Sequence, residues 1–231
     1  MAGLYAILDW PHAAGLDAAA AARGLTGAGP AGARSIGAQL LQLRCKAADT
    51  CTRIELLEQV APVCRAAGVP LIVNDDIEAA LARPGLAQGV HLGQEDLDRL
   101  GTAAERAGRL AELRRRGGAG FIVGVSTHDL AQVRASAALP VDYIGFGPVL
   151  ATSSKVGAWP CVGFEGLALA CAASRHPVVA IGGLDGAGAA RAAACGAAMV
   201  AVISALVAPS PAQIHGRVVA LATALAASVA R

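Results

Sequence analysis

Short apolar runs alternate with longer stretches of helical periodicity along the 231-residue chain. The runs are Leu4–Asp9, Gln39–Arg44, Leu71–Asn74, Gly89–Leu92, Phe121–Val125, Tyr143–Phe146, Val178–Ile181 and Met199–Ile203. Several are apolar at successive positions, the mark of strands covered on both faces. Between them the spacing predicts helices that include Cys51–Ala67, Thr102–Arg116, Leu130–Ala138, Phe164–Ser174 and Gly186–Cys195. Strands that alternate with helices make βα units and a parallel sheet. Eight units favour closure, so the expected fold is α/β: a single-domain (β/α)8 TIM barrel over residues 1–231. Barrels of this kind run to about 250 residues, and no second domain or interdomain linker is visible. One stretch fits poorly. Gly24 to Gly32 is dense in glycine and includes Pro30. That composition breaks helices, and it predicts a short or interrupted first helix with a flexible surface insertion near residues 24–37.

Composition narrows the class. The chain is 55% hydrophobic, much of it alanine, which favours outer helices over membrane spans. No run of about 20 apolar residues occurs, and the longest candidate carries Pro209, Pro211, His215 and Arg217. A membrane partner is therefore not expected. The first residues lack a basic region followed by an apolar one, so no export signal is expected. Six cysteines without a C-x-x-C pair read as free thiols of a reducing cytoplasm. A net charge of +2 gives no ground for a nucleic-acid partner. The one basic run, Arg114-Arg115-Arg116, precedes Gly117-Gly118 without aromatic neighbours and reads as a solvated helix end.

The candidate chemistry collects where barrel active sites lie, at the C-terminal ends of the strands. The second strand ends in Gln42-Leu43-Arg44-Cys45-Lys46, the third in Asn74-Asp75-Asp76, and the fourth in His91-Leu92-Gly93-Gln94-Glu95-Asp96. The fifth ends in Ser126-Thr127-His128, and the sixth runs on to Thr152-Ser153-Ser154-Lys155. Asp75 and Asp96 end adjacent strands, which lie about 4.8 Å apart, so both carboxylates could reach one ion. One or two carboxylates, completed by phosphates and water, are the usual ligands of Mg2+. Asp75 and Asp76 also suit an N-cap for the next helix, and for Asp76 that alternative carries more weight. Arg44, Lys46 and Lys155 could neutralise a pyrophosphate, with Asn74, Ser126, Thr152 and Ser154 as neutral donors. Gly182-Gly183 and Ser204, after strands seven and eight, stand where barrels often bind a phosphate. The substrates expected are small molecules carrying two anionic groups. His91 reads as a packed or hydrogen-bonded barrel residue and His128 as a surface residue. His12, His176 and His215 show no ligand spacing.

The segments Gly89-Val90-His91-Leu92-Gly93-Gln94-Glu95-Asp96, Gly124-Val125-Ser126-Thr127-His128, Asp142-Tyr143-Ile144-Gly145-Phe146-Gly147-Pro148 and Ala180-Ile181-Gly182-Gly183 follow in an order that resembles thiamine phosphate synthase. The resemblance spans Leu4 to Ser204. It implies an enzyme that joins hydroxymethylpyrimidine pyrophosphate to a thiazole phosphate and releases pyrophosphate. It also implies that Gln42 reads the aminopyrimidine edge and that Arg44, Lys46, Asn74, Ser126 and Lys155 bind pyrophosphate, with Ser126 and Lys155 catalytic. Asp75 and Asp96 would hold magnesium, and Thr152, Ser154, Gly183, Ile203 and Ser204 would line the thiazole phosphate side. Three features depart from the family pattern. Cys45 stands in place of a glutamate, Asp76 in place of an arginine, and Ala151-Thr152-Ser153-Ser154-Lys155 in place of Pro-Thr-Pro-Thr-Lys. Two rivals remain: a thiazole tautomerase of the same fold, and a non-catalytic barrel that binds thiamine-related phosphates. A homo-oligomer stays open.

Overall fold

The computed structural model describes residues 2–28, 36–152 and 159–227. Eight parallel strands form a closed barrel in chain order: β1 (Gly3–Asp9), β2 (Leu40–Arg44), β3 (Leu71–Asn74), β4 (Gly89–Leu92), β5 (Ile122–Thr127), β6 (Tyr143–Phe146), β7 (Val178–Ile181) and β8 (Met199–Val202). β8 closes on β1, with Gly3 opposite Met199 and Tyr5 opposite Ala201. The helices are α1 (Ala18–Thr26), α2 (Thr50–Ala67), α3 (Ile77–Leu81), α4 (Gln94–Arg99), α5 (Ala103–Gly117), α6 (Leu130–Ser136), α7 (Gly163–Ala173), α8 (Gly186–Ala194) and α9 (Pro211–Ala227).

The period of two along each strand divides the apolar residues into two cores. Leu4, Ala6 and Leu8 of β1, Leu41 and Leu43 of β2, and Val123 and Val125 of β5 face the helices in one continuous layer. The other parity fills the barrel with Tyr5, Ile7, Leu40, Ile72, Tyr143, Val179 and Ala201. Two aromatic rings fit inside because glycines of the inward parity make room. A Cβ on Gly124 would fall within the Tyr143 ring, and one on Gly145 would lie 3.3 Å from His91 Cε1.

Of the two alternatives expected, short or interrupted, the first helix is the short one. It is nine residues long and unbroken. Asp17 caps its start, accepting from the Ala20 N–H at 2.7 Å, and Gly27 ends it in the left-handed region at φ 66. Gly24 stays helical because α9 crosses it closely, where a Cβ would meet Ile214 Cβ at 2.7 Å. Residues 29–35, half of the Gly/Pro-rich insertion expected near 24–37, lie outside the described residues. Pro211 starts α9, where the first helical position has no use for an N–H. Among the described residues no helix is long and apolar enough to cross a membrane. All six cysteines are free thiols. Arg114, Arg115 and Arg116 fill the last turn of α5; Arg114 pairs with Asp142 and Arg115 with Glu112.

Candidate active site

One cavity of about 250 Å3 opens at the C-terminal ends of the strands. It is lined at once by Gln42, Arg44, Lys46, Asn74, Asp75, Asp96, Ser126, Thr152, Gly183, Ile203 and Ser204. These are all the candidate site residues that lie among the described ones. Ser154 and Lys155 fall in the stretch 153–158, outside them.

The acidic corner is built by β3 and α4. Asp75 adopts φ 64, a left-handed backbone uncommon for a residue with a Cβ, though tolerated by aspartate. Two hydrogen bonds hold its carboxylate. Oδ1 accepts from the Gly93 N–H at 2.9 Å, and Oδ2 accepts from Asn74 Nδ2 at 2.6 Å. Asp96 comes from a turn that the sequence pattern left as part of a strand tip. Gly93 instead starts the short helix α4, with Glu95 and Asp96 in its first turn, where carboxylates suit the positive helix end. Burial and the neighbouring Asp75 raise the Asp96 carboxyl above its ordinary range, although Arg99 pulls the other way. Two such carboxylates side by side repel each other, and a hard cation between them removes the repulsion. Among the described residues no third His, Cys, Asp or Glu joins them.

Asp76 belongs elsewhere. It caps α3, accepting from the Ala79 N–H at 2.9 Å, from the Thr50 hydroxyl at 2.9 Å and from Arg53 at 2.8 Å. Burial opposes its charge, yet these three partners keep its carboxyl below the usual value. Arg53 also donates to the Cys45 carbonyl at 3.0 Å. The two departures at positions 45 and 76 thus meet at one arginine from α2.

Of the cations, Arg44 ends β2 opposite Asp9, its register partner, and is ion-paired with it. Lys46 follows in the loop and lines the same cavity. The other side of the mouth is backbone. Gly182 and Gly183 have φ of 103 and 66, and a Cβ on Gly182 would lie 2.6 Å from Pro148 Cα. The loops after β6 and β7 are held together by Val149 N–H to Ile181 O at 2.9 Å and Leu150 N–H to Gly182 O at 3.0 Å. Ser204 begins a 3-10 turn, Ser204–Leu206.

Sequence reasoning missed the cavity floor. Gln42 donates from Nε2 to Tyr5 Oη at 2.7 Å, Tyr5 bonds Tyr143 at 2.9 Å, and Tyr143 bonds His91 Nδ1 at 3.0 Å. His91 Nε2 then meets Ser126 Oγ at 2.9 Å. His91 is therefore a hydrogen-bonded barrel residue, as expected. Tyr5 shares the inward parity of Ile7, and Tyr143 that of Gly145, a signal available only once the inner face is known. His128 corrects its surface expectation. It lines the cavity, stacks on Trp159 with centroids 5.1 Å apart, and bonds Gly147 O through Nδ1 at 2.6 Å. The short β5–β6 pairing brings Thr127 beside Phe146 and so carries His128 to the mouth.

The family profile described as thiamine monophosphate synthase matches residues 30–206. The chain is 39% identical over 170 residues to the thiamine-phosphate synthase of Chlorobium luteolum, covering 74% of each. It is 41% identical over 174 residues to that of Levilactobacillus brevis, covering 74% of this chain and 75% of the other. Among solved structures, the thiamine phosphate pyrophosphorylase from Pyrococcus furiosus superposes with a TM-score of 0.76 at 25% identity, covering 98% of this chain and 96% of that one.

Proposed function

The chain belongs to the thiamine monophosphate synthase family, and from that premise we propose that it is a transferase making thiamine phosphate. It joins 4-amino-2-methyl-5-hydroxymethylpyrimidine pyrophosphate to hydroxyethylthiazole phosphate and releases pyrophosphate. The observation that carries this reading is the single cavity in which acidic, cationic and glycine-rich walls meet. A tautomerase needs one phosphate site and an acid–base residue, so it has no use for the paired carboxylates and the cations opposite them.

Gln42 reads the amino edge of the pyrimidine. Arg44, Lys46, Asn74, Ser126 and Lys155 bind the pyrophosphate. The guanidinium of Arg44 has five donors, so its pairing with Asp9 orients the fork and leaves donors for an anion. Asp75 and Asp96 would hold Mg2+, which neutralises charge on the leaving group when bound. Thr152, Ser154, Gly183, Ile203 and Ser204 bind the thiazole phosphate. The pyrimidine–CH2–O bond breaks with carbocation character at the methylene carbon, and the pyrophosphate departs with the bonding electrons. Ser126 and Lys155 stabilise that developing charge. The thiazole nitrogen then supplies the electron pair of the new C–N bond. It is already nucleophilic, so the protein provides orientation and charge but no nucleophile of its own. Free thiols, two of them exposed, suit a reducing cytoplasm.

The deciding experiment supplies both substrates with and without magnesium and follows thiamine phosphate. Magnesium-dependent product is expected. Binding of either phosphate without product would favour a non-catalytic barrel and overturn the reading.

A further inference from the structure

The hydrogen-bond chain across the barrel floor has a direction, and the direction matters to the chemistry proposed above, on which this inference rests. Gln42 donates through Nε2 to the Tyr5 oxygen at 2.7 Å. Either oxygen of the Tyr5–Tyr143 pair, 2.9 Å apart, could donate; since Tyr5 already accepts from Gln42, both phenol hydrogens are used when Tyr5 gives its own to Tyr143. Continued in the same sense, the Tyr143 hydrogen goes to His91 Nδ1, 3.0 Å away. A neutral imidazole whose Nδ1 accepts carries its proton on Nε2. In that tautomer His91 Nε2 donates to Ser126 Oγ at 2.9 Å, which leaves the hydroxyl hydrogen of Ser126, a cavity-lining residue, for a ligand. Burial pushes both phenols well above their ordinary range, so both stay protonated and remain donors. No link can reverse alone, because each oxygen or nitrogen donates only if its neighbour accepts.

We infer that Tyr5, Tyr143 and His91 are positioning residues that lock Gln42 as an acceptor and Ser126 as a donor, so that one substrate is read at both ends by one connected chain. With one Nε2 hydrogen committed to Tyr5, the Gln42 amide is held in one orientation, and its Oε1 accepts from a ring substituent that carries hydrogen, such as the exocyclic amine. At the other end, Ser126 offers a hydrogen that only an anion or another acceptor can use, such as the leaving pyrophosphate. The ring and its leaving group are thereby selected together. A pyrimidine bearing an oxo group in place of the amine would set two acceptors against each other at Gln42.

Tyr5→Phe and Tyr143→Phe keep ring shape and remove one hydroxyl each. The probes are the amino-pyrimidine pyrophosphate and its oxo analogue, each with thiazole phosphate and magnesium, and kcat and KM are read separately. The parent should prefer the amino substrate by about a thousandfold or more in kcat/KM, as sites built around a required hydrogen bond do. Tyr5→Phe releases the Gln42 amide to turn and should cut that preference about ten- to hundredfold, through KM. Tyr143→Phe cuts the chain in its middle, so it should lower the preference and also kcat, since the Ser126 end is no longer set. The double variant should be little worse than Tyr143→Phe alone, because a broken chain is not broken twice. An unchanged preference in a Tyr5→Phe protein that melts like the parent would overturn the inference, as would single losses that multiply in the double variant. If Tyr5→Phe melts early, Tyr143→Phe alone carries the same comparison. A parent that makes no thiamine phosphate overturns the functional reading and this inference together, which separates that failure from a failure of the chain.

Discussion

From β2 to β5 the described mouth of the barrel is made of charged and amide side chains, and from β6 to β8 it is made mainly of backbone. The first half brings Arg44, Lys46, Asn74, Asp75 and Asp96 to the cavity. The second brings Gly147, Gly182 and Gly183, with φ of 103 and 66 at the last two, and the hydroxyls of Thr152 and Ser204. The two halves should fail differently. Side chains on the first half can change shape at little cost to the fold, but all of these except Asn74 carry charge that the proposed reaction would use. Among the described residues of the second half there is little charge to lose, and Gly147, Gly182 and Gly183 leave no space for a Cβ.

The largest effect should come from breaking the acidic corner. Asp96→Ala is expected to lower magnesium-dependent turnover by about a hundredfold or more while the fold survives. The check is a magnesium titration of rate, and near-normal turnover at low magnesium would remove Asp96 as a ligand. Next comes Lys155→Ala. Loss of one electrostatic contact to a leaving group costs roughly 3 kcal/mol, and it should appear in kcat as well as KM. Steady-state kinetics with the pyrimidine substrate would show the alternative, uniform binding, as a raised KM with kcat untouched. Gly183→Ala tests the backbone half. A left-handed position costs a Cβ-bearing residue about 1–2 kcal/mol, and here the Cβ would also collide with the Ala151 carbonyl. The KM for thiazole phosphate should rise about tenfold, the size of that strain, with the KM for the pyrimidine substrate unchanged. Equal rises in both would show that the halves are not separate.

Asp76→Asn should have the smallest effect on catalysis, none on KM for the pyrimidine substrate, because its partners lie on α2 and α3 and not in the cavity. It should cost about 1 kcal/mol of stability through the weakened bond to Arg53. The pH dependence gives the sign. Burial opposes the Asp76 charge, but the Ala79 N–H, Thr50 and Arg53 outweigh it and hold the folded carboxyl below its unfolded value. Its contribution is present above the ordinary aspartate value of about 3.9 and disappears as pH falls through the depressed folded value. Denaturant unfolding should find parent and variant farthest apart near neutrality and convergent in acid. A large fall in KM for both Asp76→Asn and Asp76→Arg would mean that the charge faces the cavity after all.

The two halves were also unequally legible in the sequence. Strand tips announce themselves where polar residues end an apolar run, so Arg44, Asp75 and Ser126 could be picked out one by one. Glycines at 182 and 183 carry no chemistry of their own, and only their place after the seventh strand pointed to them. The floor was hidden for a different reason. Tyr5 and Tyr143 lie 138 residues apart, and their hydroxyls meet only after closure sets the inward parity of β1 and β6. The partner of Asp76 was equally out of reach. Asp76 reads locally as a cap, but Arg53 lies 23 residues upstream on a separate helix. Strand placement survived best, because burial on both faces leaves a local signature.

The glycine at position 124 has a consequence for how such a chain can change over time. Its missing Cβ is the space that the Tyr143 ring fills. A side chain at 124 is therefore unacceptable while the tyrosine is present, and acceptable once it has been replaced by something small. The reverse step is blocked in turn: a lineage that has gained even an alanine at 124 cannot regain the tyrosine without first losing the alanine. The pair therefore changes in a fixed order, and each state shuts out the direct return to the other. A library that varies the two positions independently should yield few survivors with both filled, whatever activity is selected.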